Sequence, residues 1–223
     1  GKQLLTFARK YQVKITPLAL QDFMLQFSTI YSVLIPENIR FEISPIPNDL
    51  TILTDQNQFQ QVLVNLLTNA RDALAGIEDP KIQINFSPFD ADDAFMIEHP
   101  TVTNNRLVRV DICDNGCGIP RKEHARIFEP FFSTKHEKTG TGLGLAMVYG
   151  AVERQQGAIA VDSSLESGTK FSLFLPRAES DSMTGEITSN NGLVMGSGEL
   201  LILADDDTFV RESHQEVLQQ FGS

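Results

Sequence analysis

No apolar run in this chain approaches the roughly 18 residues that a membrane-crossing helix needs. The opening Gly1-Lys2-Gln3 has neither an initiator Met nor the apolar core of a signal peptide. A membrane segment is therefore expected only outside this sequence, and the location expected is cytoplasmic. Cysteine is scarce: Cys113 and Cys117, with no neighbouring His, are a poor zinc site and a poor disulfide framework. Both fit a reducing compartment and a structural role. Bases are scarce as well, since 18 Lys and Arg against 29 Asp and Glu leave a formal charge of −11. That balance argues against nucleic-acid binding driven by the overall field. Residues 179–223 hold nine acids and one base, Arg211, so −8 of the −11 lies there and −3 remains for residues 1–178. There are no internal repeats.

What is present is an ordinary globular composition, 41% hydrophobic and 21% charged, enough to bury a sizeable core. A length of 223 residues, divided by about 150 per domain, gives about one and a half domains. Residues 2–10 read as the last turns of a helix that starts upstream. An extended stretch and an apolar helix from about Asp22 follow, with Phe23, Phe27, Ile30, Tyr31 and Leu34 at helical spacing and Pro36 as the stop. Short strands are expected at 40–44 and 50–54. Asp55 is placed to cap a long helix reaching about Ala75, with Gly76 behind it. Strands at 81–87 and 106–113 flank an acidic, irregular insert. Glycine-rich loops, a helix over 143–155 and strands at 158–163 and 169–175 complete a mixed α/β sandwich, its mainly antiparallel sheet carrying helices on one face. Residues 177–198 read as a flexible linker.

Four segments carry chemistry. On the long helix Asn65, Asn69 and Asp72 stand at i, i+4 and i+7, a polar stripe. Alone it is a solvated face, but an amide oxygen is also a hard neutral ligand suited to Mg²⁺. DICDNGCGIP places Asp114, Gly116 and Gly118 just after a strand. On its own that pattern is a turn, yet an acceptor-only carboxylate there can take a hydrogen bond from an exocyclic amine such as adenine N6. IFEPFFSTK packs three phenylalanines beside a proline and ends on Lys135, and reads as a core anchor for a loop. KTGTGLGLAMV runs Gly140, Gly142 and Gly144 into a helix start, an arrangement that favours an anion. No G-K-[ST] closes it, so it is not a P-loop.

The order and spacing of these segments resemble the catalytic ATP-binding domain of sensor histidine kinases, in the ATPase superfamily (Bergerat-type fold) that includes gyrase, MutL and the heat-shock chaperone ATPases. NLLTNARDAL looks like that family's N box, DNGCGIP and GTGLGL its two glycine boxes, FEPFF its F box, and SGTKFSLFLP its closing segment. The resemblance spans about residues 15–176. It implies ATP and Mg²⁺ as cofactors, with Asn69 the main metal ligand and Asn65 assisting, Asp114 reading adenine N6, and Gly116 and Gly118 shaping the base pocket. Thr169 would support the base through a water. Gly140, Gly142 and Gly144 would form the lid and phosphate-facing helix start, with Lys135 the lid cation. Asp72 and Ala73 depart from the family's commoner basic and aromatic residues, so those contacts do not transfer.

By the same resemblance, residues 1–14 would end a dimerisation helix. Residues 199–223 would begin a receiver domain, with Asp205 and Asp206 starting its acidic Mg²⁺ pocket. No H-E-x-x-N-P-like box occurs, and His99, His124, His136 and His214 read as surface residues. Hydrolytic superfamily members usually carry a Glu four residues before the metal-binding Asn, where this chain has Asn65. An amide cannot serve as that general base. The expected activity is thus ATP-dependent phosphoryl transfer to a histidine supplied by a dimerisation domain, without autophosphorylation in isolation. The expected partners are that domain, a receiver domain or response regulator and, in the full-length protein, a second protomer. The alternatives are a hydrolytic ATPase of the superfamily and a nucleotide-binding scaffold without transfer chemistry.

Overall fold

The computed structural model describes residues 13–132 and 142–178. The expected helix end at 2–10, Lys135, His136 and Gly140 in the second loop, most of the linker, and the second-domain start with Asp205, Asp206 and His214 lie outside the described residues. The chain order is β1 (Thr16–Ala19), α1 (Leu20–Leu34), β2 (Arg40–Ile43), β3 (Thr51–Thr54), α2 (Gln56–Ala73), β4 (Lys81–Asp90), α3 (Asp93–Glu98), β5 (Arg106–Asp114), a 3-10 turn (Arg121–Glu123), α4 (Gly144–Arg154), β6 (Ala158–Ser163) and β7 (Thr169–Pro176). Among the described residues no helix is long and apolar enough to cross a membrane.

Apolar spacing builds the helices. On α2, Phe59, Val62, Leu63, Leu66, Leu67 and Ala70 recur on one face and are all buried. Asp55 caps its start, one carboxylate oxygen accepting from the backbone N–H groups of Asn57 and Gln58 at 3.0 and 3.1 Å. Phe23 of α1 meets Phe59 at 5.0 Å between ring centroids, which seats α1 on α2. The five-stranded sheet has the order β2-β4-β5-β7-β6, with β2 and β4 parallel and the other neighbours antiparallel, while β1 and β3 form a separate antiparallel pair. Alternation along the strands turns Ile82, Ile84, Val108, Val110, Ile112, Phe171 and Leu173 into one core with the buried faces of α1, α2 and α4. The expected mixed, mainly antiparallel sheet is borne out, with α1, α2 and α4 on one face of it.

The insert between β4 and β5 is less irregular than its sequence implies. It contains α3 and packs on the opposite sheet face, where Ala91 and Val102 join Leu107, Ala158 and Phe174 in a second apolar cluster. Phe89 and Phe95 each stand 4.8 Å from the Phe174 ring. Six residues are too few to display a helical period, which is why α3 escapes a sequence reading. His99, expected at the surface, is half-buried with its ring 4.4 Å from Phe95.

One buried polar knot fixes α4 against α2. Gln155, just past the end of α4 and 4% exposed, accepts hydrogen bonds from the Thr54 hydroxyl and the Asp55 backbone N–H, and donates to the Ala151 carbonyl. The start of α2 is therefore tied to the end of α4, and the two helices run antiparallel. Gln155→Ala removes the shared acceptor of the buried Thr54 hydroxyl and the half-buried Asp55 N–H and is expected to destabilise the fold by about 2 kcal/mol. A fall in the urea midpoint with unchanged slope checks this.

Candidate functional site

Asp114 ends β5, and its half-buried carboxylate lies on the helix face of the sheet, in the alternation that sends Ile112 there. Burial raises its pKa above the usual carboxylate range, partly offset by backbone N–H bonds from Gly116 and Thr169. The Gly116 bond is 2.8 Å long. Around this carboxylate three chain segments converge. Asn115 ties the loop to the start of β4, accepting from the Lys81 N–H at 2.7 Å and donating to the Asp79 carbonyl at 3.0 Å. The Cys117 N–H bonds the Ala73 carbonyl at the end of α2 at 3.1 Å, and the Cys117 carbonyl accepts from the Glu166 N–H at 3.0 Å.

Two glycines make the convergence possible. Gly118 has φ +71 and a Cβ there would stand 1.9 Å from the Ser164 carbonyl oxygen. Gly168 has φ +81 and a Cβ there would stand 1.9 Å from the carbonyl oxygen of Asp114 itself. Sequence reasoning singled out Gly118 but missed Gly168, whose only signal is the S-G-T turn before β7. It also missed Ser163, which accepts from the Ile119 N–H and donates to the Gly168 carbonyl, both at 2.8 Å.

The second half of the site lies between α2 and α4. Asn65 and Asn69, one turn apart on α2, are half-buried, and neither side chain has a protein hydrogen-bond partner among the described residues. The antiparallel packing carries Asn65 to the start of α4, where its amide oxygen is 4.0 Å from the place a Cβ on Gly144 would occupy. Asp72, the third member of the stripe, is drawn aside by Arg71, which bonds it at 3.0 Å and also reaches the Leu34 carbonyl. The structure thus brings Asn65 and Gly144 together, puts Asn69 on the same helix face, sets Gly116 between Asp114 and the end of α2, pairs Thr169 with Asp114 and lays Gly118 against Ser164.

The F box is only partly the core anchor its composition implies. Phe128 packs on Tyr149 of α4 and Phe171 of β7, and Phe132 lies under the Arg126 guanidinium at 4.6 Å. Phe131 is 77% exposed at φ +66. Its N–H bonds the Gly142 carbonyl at 2.9 Å, joining the two ends of the second loop. His124, expected at the surface, is half-buried with Nε2 3.1 Å from the Ile119 carbonyl.

This donor set fits an adenine nucleotide with a divalent cation. An acceptor-only carboxylate can take an exocyclic amine. Two amides without partners among the described residues can offer neutral oxygens to a cation whose other ligands are water and phosphate. The α4 start favours an anion. A bound amine needs Asp114 ionised, so adenine-nucleotide affinity is expected to weaken as pH falls through its raised pKa. The stability sign is opposite: burial favours the protonated form, so its contribution to stability is present below the ordinary carboxylate pKa and lost as pH rises through the raised one. Asp114→Asn turns a donor toward the amine and is expected to weaken binding at neutral pH by at least about tenfold. Calorimetry across pH 5–8 checks both, with the variant correcting for the nucleotide's own titration.

The chain is 33% identical, over 99% of its length, to the Sensor kinase CckA of Brucella abortus, of which it spans 24%. Its fold resembles full-length ShkA, solved in complex with AMPPNP, with a TM-score of 0.55 and 27% identity, covering 75% of this chain and 32% of that one. It also resembles the catalytic domain of histidine kinase ThkA, with a TM-score of 0.54 and 28% identity over 74% of this chain and 96% of that one. Residues 54–179, more than half of the chain, match the family described as Histidine kinase-, DNA gyrase B-, and HSP90-like ATPase, and the chain belongs to that family.

Proposed function

We propose that this chain is the ATP-binding catalytic part of a hybrid sensor histidine kinase, which binds Mg·ATP and passes the γ-phosphoryl group to a histidine on a dimerisation domain. The observation that supports the reading is a half-buried carboxylate, Asp114, at the end of β5 together with two asparagines on one face of α2, of which Asn65 lies beside the start of α4. In this reading Asp114 accepts from adenine N6, and Gly116, Gly118 and Thr169 shape and support the base pocket. Asn69, assisted by Asn65, holds Mg²⁺, which when bound neutralises phosphate charge. Gly142 and Gly144, with Gly140 and Lys135, supply lid and anion-facing groups. The capture of ShkA with AMPPNP supports an adenine nucleotide as the ligand.

The chain's own residues contribute mainly positioning and charge. Asn65 stands where a hydrolytic relative would place a carboxylate base, so no side chain at that position can take a proton from water. The phosphoryl group is held until a histidine imidazole reaches it. The organisation we propose is the end of a dimerisation helix at 1–14, the ATP-binding domain at 15–176, a linker at 177–198 and the start of a receiver domain at 199–223. There Asp205 and Asp206 would begin a Mg²⁺ pocket. The whole protein would act as a homodimer in the cytoplasm and relay its phosphoryl group to a receiver aspartate.

With γ-labelled ATP, the chain alone is expected to release almost no phosphate. Adding a dimerisation domain from a related kinase is expected to give acid-labile phosphohistidine. Steady phosphate release without an acceptor would contradict the kinase reading in favour of a hydrolase.

A further inference from the structure

We infer that Ser163 is a positioning residue for base selectivity, fixing the Thr169 hydroxyl as an acceptor so that the site takes a 6-amino purine and rejects a 6-oxo purine; this rests on the adenine reading of Asp114. Strand register places Asp114, Thr169 and Ser163 side by side at the ends of β5, β7 and β6, because Asp114 pairs with Thr169 and Thr169 with Ser163. Alternation turns all three side chains to the helix face, below Ile112, Phe171 and Val161.

Proton counting then sets the direction of each bond. Ser163 Oγ accepts a hydrogen bond from the Ile119 N–H at 2.8 Å and donates one to the Gly168 carbonyl, also at 2.8 Å. A carbonyl can only accept, so the single Ser163 proton is committed there. Thr169 Oγ1 lies 3.0 Å from Ser163 Oγ. With the serine proton committed, that contact is made by the threonine proton pointing at the serine oxygen. Thr169, 6% exposed, therefore turns only lone pairs toward Asp114, whose carboxylate likewise only accepts.

Two adjacent acceptors in direct contact with purine position 6 match an amine there. They repel a carbonyl oxygen there, since neither can supply it a proton. Without the Ser163 oxygen, the Thr169 hydroxyl loses its acceptor and is free to turn its proton into the site. A 6-oxo purine then gains the donor it lacked. Ser163 touches no nucleotide in this account and acts through Thr169 alone.

ATP and ITP differ at position 6 and in protonation of N1, so their affinity ratio is the readout, measured by calorimetry on the whole chain. Wild type is expected to favour ATP, and Ser163→Ala to narrow the ratio by about tenfold. Ser163→Thr keeps the hydroxyl and is expected to restore it. Ser163→Cys, a weak hydrogen-bonding group of similar shape, narrows it in the same direction if the alanine variant fails to fold. In a Thr169→Val background, Ser163→Ala is expected to leave the ratio unchanged. A folded Ser163→Ala or Ser163→Cys variant that weakens both nucleotides equally would overturn the inference alone. A wild type that does not distinguish ATP from ITP would overturn the adenine reading and the inference with it.

Discussion

A carboxylate drawn out of water must be given donors, and the end of β5 is organised around that demand. Asp114 loses solvation on the helix face of the sheet, and the backbone N–H groups of Gly116 and Thr169 return part of it. Both donors belong to segments that must come unusually close. Gly168 allows its turn to lie against the Asp114 carbonyl, and the Cys117 N–H seals the loop to the end of α2. The carboxylate keeps acceptor capacity for a ligand amine. A hydrophobic residue there would remove the burial penalty and, with it, the charged acceptor that Asp114 supplies.

The fold delivers the other half of the site by a separate device. Gln155 binds the end of α4 to the start of α2, and the antiparallel packing carries the α4 start back to Asn65 on α2. One buried amide at the far end of the helix pair thus sets the separation of two groups it never approaches. The insert helps less directly: by covering Leu107 and Phe174 on the opposite sheet face, it lets β5 and β7 remain apolar on both sides near their distal ends.

Much of this was legible in the sequence because it is periodic. The buried face of α2 repeats every three or four residues, and β4, β5 and β7 alternate on their helix-facing side, so element types and sheet character follow from pattern alone. Asp114, Gly116 and Gly118 were visible because they alternate within one short stretch of sequence. Ser163 and Gly168 were not, because their importance arises from pairing across β6 and β7, which no local spacing encodes. Gln155 looks like an ordinary helix-surface glutamine until the start of α2 is placed on it. Asp72 shares the asparagine stripe by spacing, yet its neighbour Arg71 takes its charge, a competition between adjacent side chains that periodicity does not register.

The central claim is that the Asp114 carboxylate reads the base while the Asn65 and Asn69 face, beside the Gly144 helix start, receives the phosphates. The most direct test is a crystal structure of this chain with Mg²⁺ and AMPPNP. The account predicts the adenine amine within hydrogen-bonding distance of the Asp114 carboxylate, and Mg²⁺ bound by the Asn69 amide oxygen with the triphosphate toward Gly144. A nucleotide whose base lies away from Asp114, or whose phosphates lie away from the α2 and α4 face, would contradict it.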